Sequence, residues 1–214
     1  MLFSDYIWDF DGTLFDTYPR MCAAFREALR RQGCARPADE VMAAIKRSVR
    51  EAAVMYAARY GLDQARLTAD YQAVEHAMPP ETMLPFEGAE SFLRAVIACG
   101  GRHFLYTHRD AAALAALKRC RLADCFSGAV TADDRFPAKP APDALSHLMA
   151  KHAIAPASAV MLGDRDIDIE AARSAGIAGC LVDPPHFYDG YLAPLRCDGI
   201  QGLYDVMDVP RVGR

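Results

Sequence analysis

Several side chains that could take part in catalysis follow predicted strands, at the points where those strands end. Two aspartates follow the first strand, a Thr-His pair follows the second, a lysine lies in the loop after the third and an aspartate follows the fourth: Asp9 and Asp11, Thr107 and His108, Lys139, and Asp164. Ligands of open parallel sheets bind outside the carboxyl ends of the strands, so these side chains are expected to converge. Clustered carboxylates repel one another, and a divalent cation with oxygen ligands, most readily Mg²⁺, removes that repulsion.

This set of groups suits the chemistry of phosphate. A Mg²⁺ ion together with a lysine forms a site for a dianionic group, phosphate above all. The Thr107 hydroxyl can donate to a phosphoryl oxygen, and one of the aspartates can attack phosphorus to form an aspartyl-phosphate. Phosphoryl transfer needs in-line positioning and stabilised equatorial oxygens, which a metal, a lysine, a hydroxyl and backbone amides supply.

Strands and helices alternate along most of the chain. Short apolar runs predict strands at 6–8, 103–106, 127–130, 159–162 and 177–182, and helical spacing predicts helices at 89–99, 111–118, 142–152 and 167–175. Alternation of this kind indicates a parallel sheet with helical crossovers. We therefore expect an α/β fold with a doubly wound parallel sheet, whose carboxyl edge carries the candidate residues.

The segment between the first strand and Pro85 shows helical spacing only. Apolar residues recur at steps of three and four in three sets, Met21 to Leu29, Ile45 to Tyr60 and Leu67 to Met78. Residues 16–83 are therefore expected to form a small helical domain inserted after the first strand.

The composition is that of a folded protein and argues against several classes of partner. Of the 214 residues 52% are hydrophobic, and 24 Lys and Arg stand against 28 Asp and Glu, a formal net charge of −4. Nucleic acids and anionic membranes attract cationic surfaces, which this balance does not favour. No apolar run approaches the roughly 20 residues of a membrane span, and the N-terminus lacks the pattern of a signal peptide. Seven scattered cysteines without a Cys-x-x-Cys pair favour reduced thiols and a cytoplasmic location.

Each candidate group also has an ordinary structural interpretation. Asp-x-Asp-Gly is often a solvated turn, and either Thr107 or Asp110 can cap the helix that follows. A lone Lys139 in a loop is usually a solvated charge. The acidic residues at 164, 166 and 168 can stabilise a helix N-terminus by a few tenths to about 1 kcal/mol. The occurrence of four such groups at successive strand ends is better explained by one shared site.

The same segments resemble the four signatures of the haloacid dehalogenase (HAD) superfamily. The matching stretches are DFDGTLFDT at 9–17, YTH at 106–108, KPAPD at 139–143 and GDRDID at 163–168. LPFEG at 84–88 and AARSAG at 171–176 resemble the branch of phosphoglycolate phosphatase and β-phosphoglucomutase. The resemblance spans nearly the whole chain. It implies a Rossmann-like core of residues 1–15 plus 84–214 and a helical cap domain of residues 16–83.

The resemblance also implies a role for each side chain at the strand ends. Asp9 would be the nucleophile, and Asp11 the general acid that protonates the leaving alcohol and then activates water. Thr107 and the backbone N–H of His108 would bind the phosphoryl oxygens, while Lys139 would neutralise charge and orient Asp9. Mg²⁺ would be held by the Asp9 carboxylate, the Asp11 backbone carbonyl, Asp164 and, directly or through water, Asp168.

Some positions are expected to bear on the choice of substrate. His108 stands where relatives often carry Asn, and Arg165 where many carry Ser, and both are expected to border the substrate pocket. In the cap, a basic segment between two helices resembles the substrate-specificity loop of this branch: Lys46, Arg47 and Arg50. A solvated basic helix face is the alternative interpretation of that segment.

Together these features predict a Mg²⁺-dependent phosphatase that acts on a small phosphorylated metabolite through an aspartyl-phosphate. A phosphomutase of the β-phosphoglucomutase type is the alternative, because it uses the same residues and differs only in what reacts with the aspartyl-phosphate. A non-catalytic phosphate-binding protein or a receiver-like signalling module is disfavoured, since a receiver has no counterpart of the helical insertion.

Overall fold

The computed structural model describes residues 1–183, 187–188 and 190–211. The chain divides into two compact units, one of Met1–Phe15 and Leu84–Arg214 and the other of Asp16–Met83. The elements, in chain order, are β1 (Asp5–Trp8), α1 (Tyr18–Arg31), α2 (Ala38–Arg47), α3 (Val49–Tyr60), α4 (Gln64–Ala77), α5 (Ala89–Ala98), β2 (Arg102–Tyr106), α6 (Ala112–Arg119), β3 (Phe126–Val130), α7 (Asp143–His152), β4 (Ala159–Gly163), α8 (Asp166–Ser174), β5 (Ala178–Val182), β6 (Leu195–Cys197) and α9 (Ile200–Val206). None of the helices in these described ranges is long and apolar enough to cross a membrane.

The described strands of the first unit form one parallel sheet in the order β3-β2-β1-β4-β5-β6. In the centre of the sheet, Ile7 of β1 is paired with Phe104 of β2 on one side and with Met161 of β4 on the other. The chain runs outward from β1 to β3, crosses back to β4 and continues outward to β6, which is the doubly wound order. The predicted α/β class with a doubly wound parallel sheet is confirmed, and the carboxyl ends of the strands share one edge.

β1 is buried on both faces because its side chains alternate between two helical layers. Ile7 packs in a cluster that includes Leu145 of α7. Tyr6 and Trp8 point to the opposite face, where their rings lie 6.0 and 5.8 Å from the ring of Phe92 on α5. Packing from both sides holds the end of β1, and with it the residues that follow, at the centre of the sheet edge.

One polar pair is buried among these aromatic rings. Trp8 Nε1 lies 3.0 Å from Nδ1 of His103, and Nε2 of His103 lies 3.0 Å from the carbonyl oxygen of Leu93. An indole N–H only donates and a carbonyl only accepts, so the neutral ring carries its proton on Nε2. Burial lowers the pKa of His103 to about 4, although its bond to Leu93 opposes that shift.

The second unit holds α1–α4, packed around one apolar cluster to which each helix contributes, as with Phe25, Ile45, Tyr56 and Leu67. The apolar set from Ile45 to Tyr60, expected on one helical face, is divided between α2 and α3. The division occurs at Ser48, whose backbone is extended and whose hydroxyl accepts the N–H of Glu51 as an N-cap.

A buried arginine joins the first helix of this unit to its last. The guanidinium of Arg20 donates to the Glu75 carboxylate of α4 at 2.8 Å. It also donates to the carbonyl oxygen of Pro79 at 2.8 Å and to the Thr82 hydroxyl at 2.6 Å. Arg20 therefore satisfies polar groups of the segment that leaves α4.

The sequence patterns do not predict β6 or α9. β6 has three residues with Arg196 in the middle, too short and too polar for an apolar run to be visible. Arg196 instead pairs with the buried carboxylate of Asp183, which follows β5, at 3.2 Å. The contact with β5 therefore stabilises this edge strand.

Candidate active site

Four of the candidate side chains converge beyond the carboxyl ends of β1, β3 and β4. Carboxylate oxygens of Asp9, Asp164 and Asp168 all lie within 4.8 Å of one another, and the three residues are buried. The ammonium of Lys139 lies 2.6 Å from Oδ1 of Asp9 and 2.8 Å from Oδ1 of Asp168. The ammonium therefore contacts two of the three clustered carboxylates.

The loop after β1 is a compact turn rather than a solvated one. Gly12 has a φ of 82°, a left-handed conformation that costs a glycine little, and its N–H donates to the carbonyl oxygen of Phe15. The rings of Phe10 and Phe15 stack with their centroids 4.3 Å apart. In the same loop the Thr13 hydroxyl donates to Asp164 at 3.4 Å.

Lys139 is a buried charge, which overturns its interpretation as a solvated loop residue. Its side chain donates to Asp9 and to the carbonyl oxygen of Tyr106, at 2.6 and 3.0 Å. Burial works against the ammonium, but the charges of Asp168 and Asp9 outweigh it, so the pKa of Lys139 is raised. The lysine is held protonated between the two carboxylates.

The two ends of β1 carry aspartates with opposite surroundings. Oδ1 of Asp5 accepts from Arg102 at 2.7 Å, and its Oδ2 accepts from the hydroxyls of Ser4 and Ser158 at 2.9 and 3.0 Å. Oδ2 of Asp9, in contrast, is buried and has no hydrogen-bond partner among the described residues. Burial raises the pKa of Asp9 to about 6, and the Lys139 charge opposes this shift. The first arrangement is a satisfied structural ion pair, and the second lacks a partner for one oxygen.

Asp168 stabilises the start of α8 and also contacts Lys139 of the cluster. Its Oδ2 accepts the backbone N–H of Arg165 at 3.1 Å, which caps the start of α8, while its carboxylate also faces Lys139. Gly163 makes this approach possible, because a side chain at that position would collide with the Asp168 carboxylate.

Thr107 does not cap α6. Its buried hydroxyl oxygen accepts the N–H of Arg109 at 3.0 Å, while the Asp110 carboxylate accepts the N–H of Ala112 at the first residue of α6. Because the Thr107 oxygen acts here as the acceptor, its proton is still available for a ligand.

His108 and Arg165 are close enough to influence the cluster electrostatically. Nε2 of His108 accepts the backbone N–H of Lys139 at 2.9 Å, so that nitrogen is unprotonated. Loss of surrounding water lowers the pKa of His108 to about 4, with contributions from the charges of Lys139 and Arg165. The Arg165 charge likewise favours the ionised form of Asp9.

Arg109 is the residue that the sequence reasoning missed. Its guanidinium forms an ion pair with Asp11, with Nη2 2.8 Å from Oδ1. One feature of the sequence could have indicated Arg109. It directly follows the Thr107-His108 pair, and a site with an excess of carboxylates is stabilised by nearby cations.

The basic segment that the sequence singles out lies wholly in the helical unit. Lys46 and Arg47 end α2, and Arg50 lies in the first turn of α3. Lys46 is buried, with its ammonium 5.5 Å from the centre of the Tyr18 ring, whereas Arg47 and Arg50 are exposed.

The cluster can bind a hard divalent cation and an anionic group together. Three buried carboxylates in reach of one another supply the oxygen ligands that such ions prefer. Oδ2 of Asp9, which has no hydrogen-bond partner among the described residues, is left open towards an incoming group. The Thr107 hydroxyl then provides a donor to an anion, and the positive charge of Lys139 attracts it.

The sequence and the fold are similar to those of known hydrolases. Residues 6–182 match the family model of the haloacid dehalogenase-like hydrolases. A phosphoglycolate phosphatase of Rhodospirillum rubrum is 33% identical over 186 residues, which cover 80% of this chain and 76% of that protein. A phosphoglycolate phosphatase of Nitrosospira multiformis is 29% identical over 180 residues, 78% of each chain.

A solved structure of a hydrolase from Streptococcus pneumoniae is also similar, with a TM-score of 0.68 and 32% identity over 98% of this chain and all of that one. The family model spans every motif from Asp9 to Asp168. This chain therefore belongs to the haloacid dehalogenase-like hydrolase family, and the enzyme is a phosphatase.

Proposed function

We propose that the protein hydrolyses a small phosphorylated metabolite in a Mg²⁺-dependent reaction that passes through an aspartyl-phosphate on Asp9. One observation carries the proposal: Lys139 holds Oδ1 of the buried Asp9, while Oδ2 has no hydrogen-bond partner among the described residues. A carboxylate fixed through one oxygen presents the other to an incoming phosphorus atom.

The donor set supports a magnesium site. The Asp9 carboxylate, the Asp11 backbone carbonyl, Asp164 and Asp168 would hold the ion, since all offer the oxygen ligands that Mg²⁺ prefers. When bound, the ion would offset the repulsion among the carboxylates and the negative charge of the phosphate.

The reaction divides into two steps on this chain. In the first, Asp9 attacks phosphorus, the bond from phosphorus to the substrate oxygen breaks, and Asp11 gives its proton to the departing alcohol. In the second, Asp11 takes a proton from water, which attacks phosphorus, releases phosphate and restores Asp9. The Thr107 hydroxyl, the His108 N–H and Lys139 would bind phosphoryl oxygens and orient the group.

The curated relatives suggest the class of substrate. Both are phosphoglycolate phosphatases, so 2-phosphoglycolate, a small phosphate ester with a second anionic group, is the first substrate to test. Selection of that group by Lys46, Arg47 and Arg50 is a separate proposal. It is tested by Arg50→Ala, which should weaken turnover of 2-phosphoglycolate and leave turnover of p-nitrophenyl phosphate unaffected.

The cysteines, all free thiols, support a cytoplasmic location.

The test is a substrate screen with the purified chain in Mg²⁺ and in EDTA, using p-nitrophenyl phosphate, 2-phosphoglycolate and hexose monophosphates. We expect Mg²⁺-dependent release of phosphate and none from Asp9→Asn. Turnover that requires a sugar bisphosphate would instead indicate a mutase. Absence of phosphate release with every substrate, at any Mg²⁺ concentration, would refute the proposal.

A further inference from the structure

Arg109 holds the carboxylate of Asp11 through an ion pair in which two guanidinium nitrogens take part. Nη2 and Nε of Arg109 lie 2.8 and 3.0 Å from Oδ1 of Asp11, and Nε lies 3.2 Å from Oδ2. The arginine side chain is 10% exposed and that of Asp11 21% exposed. A guanidinium fork of this kind restricts the rotation of a carboxylate, which a single point charge does not.

The arginine is itself fixed at both ends. Its backbone N–H donates to the Thr107 hydroxyl oxygen, and its carbonyl oxygen accepts the N–H of Ala132 at 3.0 Å. Its guanidinium lies 5.9 Å from the centre of the Phe10 ring, which belongs to the same loop as Asp11. The guanidinium therefore belongs to a residue whose backbone is fixed by hydrogen bonds near the ends of β2 and β3.

We propose that Arg109 is a positioning residue that orients Asp11 for proton transfer to the leaving alcohol. This inference rests on the proposed function, in which Asp11 is the general acid. Arg109 acts through Asp11 and neither gains nor loses a proton.

A structural ion pair is the competing explanation, and the chain contains an example. Arg102 and Asp5 form a similar pair at the other end of β1, where the carboxylate is also held by two serines. If Arg109 merely joined two loops, its removal would slow all substrates alike. If it orients a general acid, its removal harms those substrates whose leaving group needs a proton.

The experiment compares Arg109→Gln, Arg109→Lys, Asp11→Asn and the double variant Arg109→Gln/Asp11→Asn on two substrates. p-Nitrophenyl phosphate has a good leaving group, whereas 2-phosphoglycolate releases an alcohol that must be protonated. The ratio kcat/KM is measured because it reports the steps up to departure of the leaving group. Arg94→Gln, which removes an arginine paired with Glu90 on the surface, is the matched control and should leave both rates unchanged.

We expect Arg109→Gln to lower kcat/KM roughly 10–10²-fold on 2-phosphoglycolate, by misplacing the acid, and less than about threefold on p-nitrophenyl phosphate. Arg109→Lys should restore little, because it keeps the charge but loses the fork. The double variant should be no slower than Asp11→Asn alone. A crystal structure of Arg109→Gln should show the Asp11 carboxylate in a changed or mixed orientation.

Equal losses on the two substrates, or losses that multiply in the double variant, would overturn the role of Arg109 while leaving the phosphatase proposal intact. An unchanged Asp11 orientation in the variant would do the same. If Arg109→Gln fails to fold, the substrate comparison on Arg109→Lys decides the question in the same way. A wild-type chain inactive on both substrates would refute the proposed function itself, and this inference with it.

Discussion

Lys139 and Asp9 meet through a 2.6 Å contact between Nζ and Oδ1, although 130 residues separate them in the chain. The contact saturates one oxygen of the carboxylate and leaves the other without a hydrogen-bond partner among the described residues. Because both side chains are buried, solvent screens their attraction little, and the lysine stays protonated. The pair gives Asp9 a fixed orientation as well as a nearby positive charge.

Asp5, which begins β1, and Asp9, which directly follows it, provide a matched pair of variants. Asp9→Asn should abolish phosphatase activity and leave the chain folded, because an amide of nearly the same shape cannot attack phosphorus. Asp5→Asn should leave kcat close to that of the wild type and lower the free energy of unfolding by roughly 1–3 kcal/mol, since it weakens the hydrogen bonds of a buried carboxylate with Arg102 and two serines. Steady-state kinetics measure kcat of the two variants, and urea unfolding measures their free energy of unfolding. Turnover by Asp9→Asn above about a hundredth of the wild-type rate would contradict the assignment.

Asp11→Asn should slow hydrolysis by roughly 10²–10⁴-fold, because the amide cannot protonate the leaving alcohol or activate water. With p-nitrophenyl phosphate the first step needs little acid help, so phosphorylated Asp9 should accumulate. Intact-mass spectrometry of the quenched reaction detects the adduct, and Asp9→Asn/Asp11→Asn is the control that cannot form it. Failure to find the adduct at any reaction time would argue against this division of labour between the two aspartates.

Binding of Mg²⁺ should raise the melting temperature of the wild-type chain, since a ligand of the folded state at 100 times its Kd stabilises it by about 2.7 kcal/mol. Asp164→Asn should lose most of that increase, because it removes one of three buried carboxylates. Asp124→Asn, at an exposed carboxylate of the same unit, should keep it. Thermal unfolding with and without EDTA provides the measurement. Equal increases in the two variants would place the metal elsewhere.

His103 should make stability depend on pH. Its pKa is about 4 in the folded chain and about 6.5 when unfolded, so the unfolded state binds more protons between those values. The contribution of His103 to the free energy of unfolding is fully present above pH 6.5. It is lost as the pH falls towards 4, and the total loss is roughly 3 kcal/mol. Urea unfolding at several pH values should show a flatter profile for His103→Gln than for the wild type. His147→Gln, at an exposed histidine, should keep the wild-type profile.

The sequence alone was sufficient for five of the six described strands of the sheet and for much of the candidate site. The apolar run around Ile7 is buried on both faces and its neighbours in the sheet are separated by helical crossovers, which leaves a parallel arrangement as the consistent one. Once the strands are parallel, Asp9, Thr107 and Asp164 must reach the same edge, because each directly follows a strand. Local sequence patterns therefore determined which residues lie at the carboxyl edge of the sheet.

Only the tertiary structure decided which charges pair. Arg109 contacts Asp11 across 98 residues and Arg20 contacts Glu75 across 55, and the spacing of nearby residues does not show which carboxylate either arginine pairs with. The tertiary structure likewise decided the position of β6, where Arg196 forms an ion pair with the buried Asp183. Pairing of this kind depends on the path of the loops and on burial, which set distances and remove water, and neither is encoded in the spacing of nearby residues.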